Sequence, residues 1–258
     1  MKHSLVVTEG PQDIALLHRV LRLYGAEFVK LEARLDPFWK PLIPTTFPHR
    51  GDLTKRMPVP SFFSWDTHSV AVIAAEGDSG LAATAADSLE ALRGVVDGVG
   101  VLLDADSTKP AAQRFADLRD ELAQRAIILG EIGHAGVVTP NAGGFVLPDC
   151  ARQGTLEDVV LAAGRQAFPA LARAAEAFVD DGLSIDPHWD LSRSELAPLR
   201  KPAGKNKVTV AIMTAVLKPG KTLAVTLQDN AWITSASLPT IPELVALVSF
   251  LRSVHALP

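Results

Sequence analysis

The chain has 258 residues, 48% of them hydrophobic and 21% charged, with a formal net charge of −4 and a pI near 6.0. That composition is globular and long enough for a sizeable core, and it excludes a global positive field, so any nucleic-acid contact has to be local. The single Cys150 excludes an intramolecular disulfide and a cysteine-based zinc site, and no apolar run reaches the ~20 residues that span a bilayer.

The sequence runs from Met1-Lys2-His3 into a first strand with no leader, so a cytoplasmic protein without membrane contact is expected. Leu5-Val6-Val7 is short, apolar and β-branched, as in a parallel strand covered on both faces. Gly10 permits a sharp exit, and Pro11 suits the first helical position, where no N–H is needed. Ile14, Leu17, Val20, Leu21 and Tyr24 then recur at helical spacing. Glu9 therefore falls at the carboxyl end of a strand and Asp13 in the first turn of a helix, a place that also favours an acid through the helix dipole alone.

The stretch from about residue 26 to 68 is rich in proline and aromatics, which excludes long helices and central strands and predicts an elaborated loop or lid. Its Phe38, Trp39, Phe62, Phe63 and Trp65 either pack onto the core or, with His49, Arg50, Lys55 and Arg56, form a surface on which single-stranded bases stack. Beyond it, SVAVIAAEGDSG predicts a strand, LAATAADSLEALRGVV a helix, GVGVLLDADS a strand, AAQRFADLRDELAQR a helix and GGFVLPDC a further strand. Helical sequence resumes in TLEDVVLAAG and FPALARAAEAFVDDG. DPHWDLSRSELAPLRKPAGKNK reads as loop, VTVAIMTAVL as strand or helix, and IPELVALVSFLRSV as a closing helix. This alternation predicts an α/β fold, a mainly parallel sheet flanked by helices with a loop insertion and a C-terminal extension. The core domain is placed at residues 1–165, with 166–258 packed onto it.

Asp104 and Asp106 leave the third strand at i and i+2, so both can face one site. Ligands in parallel sheets gather beyond the carboxyl ends of the strands, and carboxylates brought together there repel unless a cation, proton or donor offsets the charge. Mg2+ or Mn2+, which favour oxygen ligands and leave room for phosphate, are the expected cofactors. The plainer reading of each acid alone is a solvated strand end.

VVTEGPQD followed by GVGVLLDADS resembles the Toprim (topoisomerase-primase) domain, whose signature is a strand-end glutamate followed by a strand-end Asp-x-Asp. Glu9-Gly10-Pro11-Gln12-Asp13 is closest to the form in stand-alone Toprim-like proteins and in the nuclease half of overcoming-lysogenization-defect (OLD) proteins. Pro148-Asp149 and Leu156-Glu157-Asp158 extend the match to about residue 165. The resemblance implies a Toprim-like sheet and metal-dependent phosphodiester hydrolysis. Glu9 would be metal ligand or general acid/base, Asp104 and Asp106 would bind a first ion with Asp13 helping, and Glu157 with Asp158 would complete a second site. Two such ions clamp the attacking and leaving oxygens of an in-line displacement. Lys207, or Lys205, is the candidate cation for charge developing at phosphorus, against the plainer reading of solvated loop lysines. Ser107 is a phosphate donor or a helix cap.

The ATPase half of OLD proteins is missing, since no G-x-x-x-x-G-K-[ST] occurs, and so is a topoisomerase tyrosine domain. Two rival readings stay open. One is a non-catalytic Toprim-like module that binds metal, nucleotide or a protein partner, a second copy of the chain included; the other is a haloacid-dehalogenase-like phosphatase, because DADST fits Asp-x-Asp-x-Thr with Asp104 as nucleophile, Asp106 as acid/base and Thr108 on phosphate. Histidines are scattered without zinc spacing, and no G-x-S-x-G elbow is present.

Overall fold

A computed structural model describes residues 1–46, 59–75, 77–93, 95–105, 109–184, 191–229 and 232–258. Among these residues the chain forms a mixed α/β structure built on a six-stranded, mostly parallel sheet. The strands are β1 (Lys2–Thr8), β2 (Glu27–Val29), β3 (Ser61–Ser64), β4 (His68–Ala74), β5 (Gly98–Asp104) and β6 (Asn141–Leu147), in the order β2-β3-β4-β1-β5-β6. β4, β1, β5 and β6 run parallel; β3 is antiparallel to β4 and to β2.

Alternate residues of the central strands feed two separate cores, which is why they are apolar throughout. Val6, Val72, Leu102 and Phe145 face α1 (Pro11–Leu23), α4 (Leu156–Ala167) and the later helices, whereas Leu5, Val7, Val99 and Val101 face α2 (Leu81–Leu92) and α3 (Ala111–Ala123). α1 and α3, which follow the adjacent strands β1 and β5, thus lie on opposite faces. Between the carboxyl ends of β1 and β5 this leaves a crevice, the switch point at which such sheets bind ligands.

The C-terminal third joins the first of these cores. α5 (Pro169–Leu183), a short α6 (Arg193–Leu196), α7 (Gly204–Leu217), α8 (Leu223–Asp229) and α9 (Pro242–Ser253) follow in order, and Ala172, Val210, Met213, Trp232, Leu244 and Leu247 share a single apolar cluster with α1 and the sheet. Glycines explain how close α9 comes. A Cβ on Gly98 would lie 1.8 Å from the Val254 carbonyl oxygen, and one on Gly143 3.0 Å from the Phe250 ring, so larger residues there would push α9 off the sheet.

Two expectations need correcting. The Pro-rich stretch contributes two short strands, β2 at the sheet edge and β3 between β2 and β4, rather than loop alone; of the two readings offered for its aromatics the core one holds, since Trp39 and Phe63 are fully buried and Trp39 Nε1 donates to Ser69 Oγ at 2.7 Å. His49, Arg50, Lys55 and Arg56 lie outside the described residues. GKNK is helix, not loop, since α7 opens at Gly204 and carries the ambiguous VTVAIMTAVL, burying Thr209, Val210, Met213 and Thr214.

Candidate metal site at the sheet switch point

Four of the predicted acids come together at the crevice from four different elements. Glu9 sits just past β1 and accepts from the Asp104 backbone N–H at 2.9 Å, which ties it to the end of β5. Asp13, the third residue of α1, is buried and accepts the Gly10 N–H at 2.9 Å, so it is both a cap and a member of the site. Asp104 accepts the Leu156 N–H at 2.9 Å, placing its carboxylate on the N-terminus of α4. Glu157, buried in that same first turn, accepts from Thr155 Oγ1 at 2.8 Å.

Burial and mutual repulsion raise two of these acids. Asp13 is pushed up to about 7, by burial and then by the charges of Glu9 and Glu157, against the lowering effect of the Gly10 N–H. Asp104 is pushed up to about 8, by burial and then by the charges of Asp13, Glu9 and Glu157, with the Leu156 N–H opposing. Each of the four acids therefore enters the electrostatics of Asp13 or Asp104.

The other predicted residues fall differently. Asp158 is the capping acid of α4, accepting the Thr155 N–H at 2.8 Å on Oδ2 and Asn206 Nδ2 at 2.8 Å on Oδ1. Asp149 shapes the turn after β6 by accepting from the Ala151 and Arg152 N–H groups. Lys207 is exposed in the first turn of α7, next to Asn206, and Lys205 pairs with Asp180 at 2.5 Å. Asp106, Ser107 and Thr108 lie outside the described residues, among which no three acids, histidines or cysteines are grouped tightly enough to hold a metal ion as they stand.

Residues the sequence reading missed complete the site. Arg114, in the opening turns of α3, donates from Nε to the Asp104 carbonyl at 3.1 Å and places Nη2 3.5 Å from Glu9 Oε1 and Nη1 3.2 Å from Asp78 Oδ2. A cation near a helix N-terminus runs against the helix dipole, and that misfit was the available signal. Beside the crevice, Ala75 N–H donates to the Thr8 carbonyl at 2.8 Å, and a cleft of about 600 Å3 opens between Ile73, Ala74, Ala83, Thr84, Ser88 and Pro44.

The fold and site define an α/β protein with a carboxylate-lined crevice at the switch point of a parallel sheet. The chain belongs to the family described as protein of unknown function (DUF3226), which matches residues 3–255. Among solved structures it is similar to hypothetical protein PH0156 from Pyrococcus horikoshii OT3, with 17% identity and a TM-score of 0.47 over 99% of this chain and 96% of that one. No curated protein matches the sequence. Among the described residues no helix is long and apolar enough to cross a membrane.

Proposed function

We propose that the protein hydrolyses phosphodiesters with Mg2+ or Mn2+ in the crevice between β1 and β5. The observation that carries this reading is the convergence of Glu9, Asp13, Asp104 and Glu157 from two strand ends and two helical first turns. The donor set suits a hard divalent cation. It consists of carboxylate oxygens, and burial and repulsion have raised two of its members to about 7 and about 8, the condition a dication relieves.

Asp13, Asp104 and Glu157, with Asp106, are the residues that would hold the cation. Bound there, it would supply an activated water and charge stabilisation at phosphate oxygens. Glu9, fixed by the Asp104 N–H, would join them as a further ligand or take a proton from the attacking water. Asp158 keeps the first turn of α4 in place through the Thr155 N–H and Asn206. Lys207, exposed beside Asn206, is the proposed cation for charge at phosphorus. The resemblance of Glu9-Gly10-Pro11-Gln12-Asp13 and Asp104-Ala105-Asp106 to Toprim and OLD motifs supports the same reading.

A non-catalytic metal- or partner-binding module is the second reading, favoured by the net charge of −4, which leaves little to neutralise a nucleic-acid backbone. Asp104 as a phosphatase nucleophile is the third reading, carried by the fit of Asp104-Ala105-Asp106-Ser107-Thr108 to Asp-x-Asp-x-Thr. Incubation with single-stranded, supercoiled and linear DNA, RNA and a phosphomonoester, with each metal, separates the three. Polymer cleavage that is lost in Glu9→Gln supports the hydrolase, inactivity throughout supports the module, and a covalent phospho-Asp104 supports the phosphatase.

A further inference from the structure

One guanidinium spans three consecutive strand ends. Arg114 reaches Asp78 beyond β4, Glu9 beyond β1 and the carbonyl of Asp104 at the end of β5, and its side chain is only 14% exposed. Glu9 Oε1, the atom that faces Arg114 at 3.5 Å, also accepts the Asp104 N–H. The strand-end glutamate is thus held by a cation and a backbone donor on the α3 side of the crevice, while Asp13 and Glu157 come from α1 and α4 on the opposite face of the sheet.

We propose that Arg114 is a positioning residue that competes with a divalent cation for Glu9. The guanidinium holds the glutamate in the metal-free arrangement, and recruitment of Glu9 to a bound cation requires that ion pair to loosen. The inference rests on the metal-dependent reading above. It assigns that site a built-in regulator of metal affinity, through charge and through geometry. A positive charge a few ångströms from the cation opposes binding, and the planar fork that meets the Asp104 carbonyl and two carboxylates at once is a shape that lysine cannot copy.

The test is calorimetric titration of MnCl2 into wild type, Arg114→Gln, Arg114→Lys, Glu9→Gln and the Glu9→Gln/Arg114→Gln double variant, each first checked for its thermal transition. Arg114→Gln is expected to bind Mn2+ at least about tenfold more tightly than wild type. Arg114→Lys, which keeps the charge but loses the fork, should gain about threefold. In the Glu9→Gln background most of the Arg114→Gln gain should vanish, because the two residues act as a pair.

If Arg114→Gln does not fold, the Arg114→Lys comparison decides, and Mn2+ affinity equal to wild type in that variant overturns the proposal. Affinity in Arg114→Gln no tighter than wild type overturns it while leaving the metal site standing. A gain of equal size with and without Glu9 shows a general charge effect and also overturns it. Absence of Mn2+ binding in wild type and every variant removes the metal-dependent reading and this inference together.

Discussion

At the amino edge of the sheet, charged and polar groups find partners. Asp97 accepts the His3 N–H at 2.7 Å, His3 Nε2 lies 2.8 Å from Asp36, and His255 bridges Lys2 and Asn141. At the carboxyl edge Glu9, Asp13, Asp104 and Glu157 meet at the crevice, with Arg114 beside Glu9, and two of them are raised far above the ordinary carboxylate range. The same strands end in paired charge on one side and in mutual repulsion on the other. Repulsion at the switch point, where such sheets bind ligands, is what the proposed cation site would relieve.

The largest effect is expected from removing the acid that links the end of β5 to the first turn of α4. If Asp104 is the ligand proposed, Asp104→Ala should weaken Mn2+ binding at least about a hundredfold, a loss readable by calorimetry, and it also leaves the Leu156 N–H at the end of α4 without its acceptor. Asp97→Ala at the other edge should leave that affinity unchanged.

Next in size is a packing test of the frame that carries both edges. A Cβ on Gly164 would come within 2.8 Å of the Trp232 ring and 3.0 Å of Met213, so Gly164→Val should destabilise by about 3 kcal/mol in chemical denaturation. A cost of that size would show that the C-terminal helices are cemented to α4 and hence to the site.

Neutralisation sharpens the contrast by sign. Asp104→Asn keeps an oxygen for the Leu156 N–H and removes the repelled charge, so without metal at pH 8 it should stabilise the protein by about 1 kcal/mol. Asp97→Ala, which loses the His3 N–H bond, should cost about 1 kcal/mol.

The pH dependence follows from the same acids. Asp13 and Asp104 titrate higher folded than unfolded, so between their ordinary value near 3.8 and about 8 the folded state binds more protons. Their contribution to stability is complete below about pH 4 and is lost as pH rises through about 7 and 8. In metal-free buffer Tm should therefore fall across that window in wild type, and fall less in Asp104→Asn. Smallest is Asn206→Ala, which deprives Asp158 of one donor and should cost under about 1 kcal/mol, read as a small drop in Tm.

Much of this architecture is written locally. Pro11 at the first position of α1, the apolar run of β1 and the alternation of strands with helices are short-range signals, and the structure has each of them. VTVAIMTAVL was ambiguous because α7 is rich in β-branched residues and its one buried stripe includes Thr209 and Thr214 while Ala211, Ala215 and Val216 are exposed, so hydropathy shows neither a period of two nor one of 3.6. β2 and β3 were hidden because strands of three and four residues in a proline-rich stretch depend on pairing, β3 with β4 and β2 with β3, rather than on their own pattern.

At the site, Glu9, Asp13, Asp104 and Glu157 were legible because each ends a strand or starts a helix. Arg114 and Asp78 were not: the arginine at the start of α3 is out of place for the helix dipole, but nothing in local sequence names a partner 36 positions away. Asp158 shows the limit of reading by residue type. It has the same capping geometry as Asp13, yet Asn206 and the Thr155 N–H take both of its oxygens, a distinction only the fold makes.

The central claim is that the crevice exchanges protons for a divalent cation. It is tested most directly by Mn2+ calorimetry at pH 7 in two buffers of different ionisation enthalpy, with wild type and Asp104→Ala. Asp13 and Asp104 are substantially protonated at that pH, so binding should release about one proton per ion, and Asp104→Ala should abolish both the binding and the release. Equal binding by the two proteins, or binding without proton release, would contradict the account.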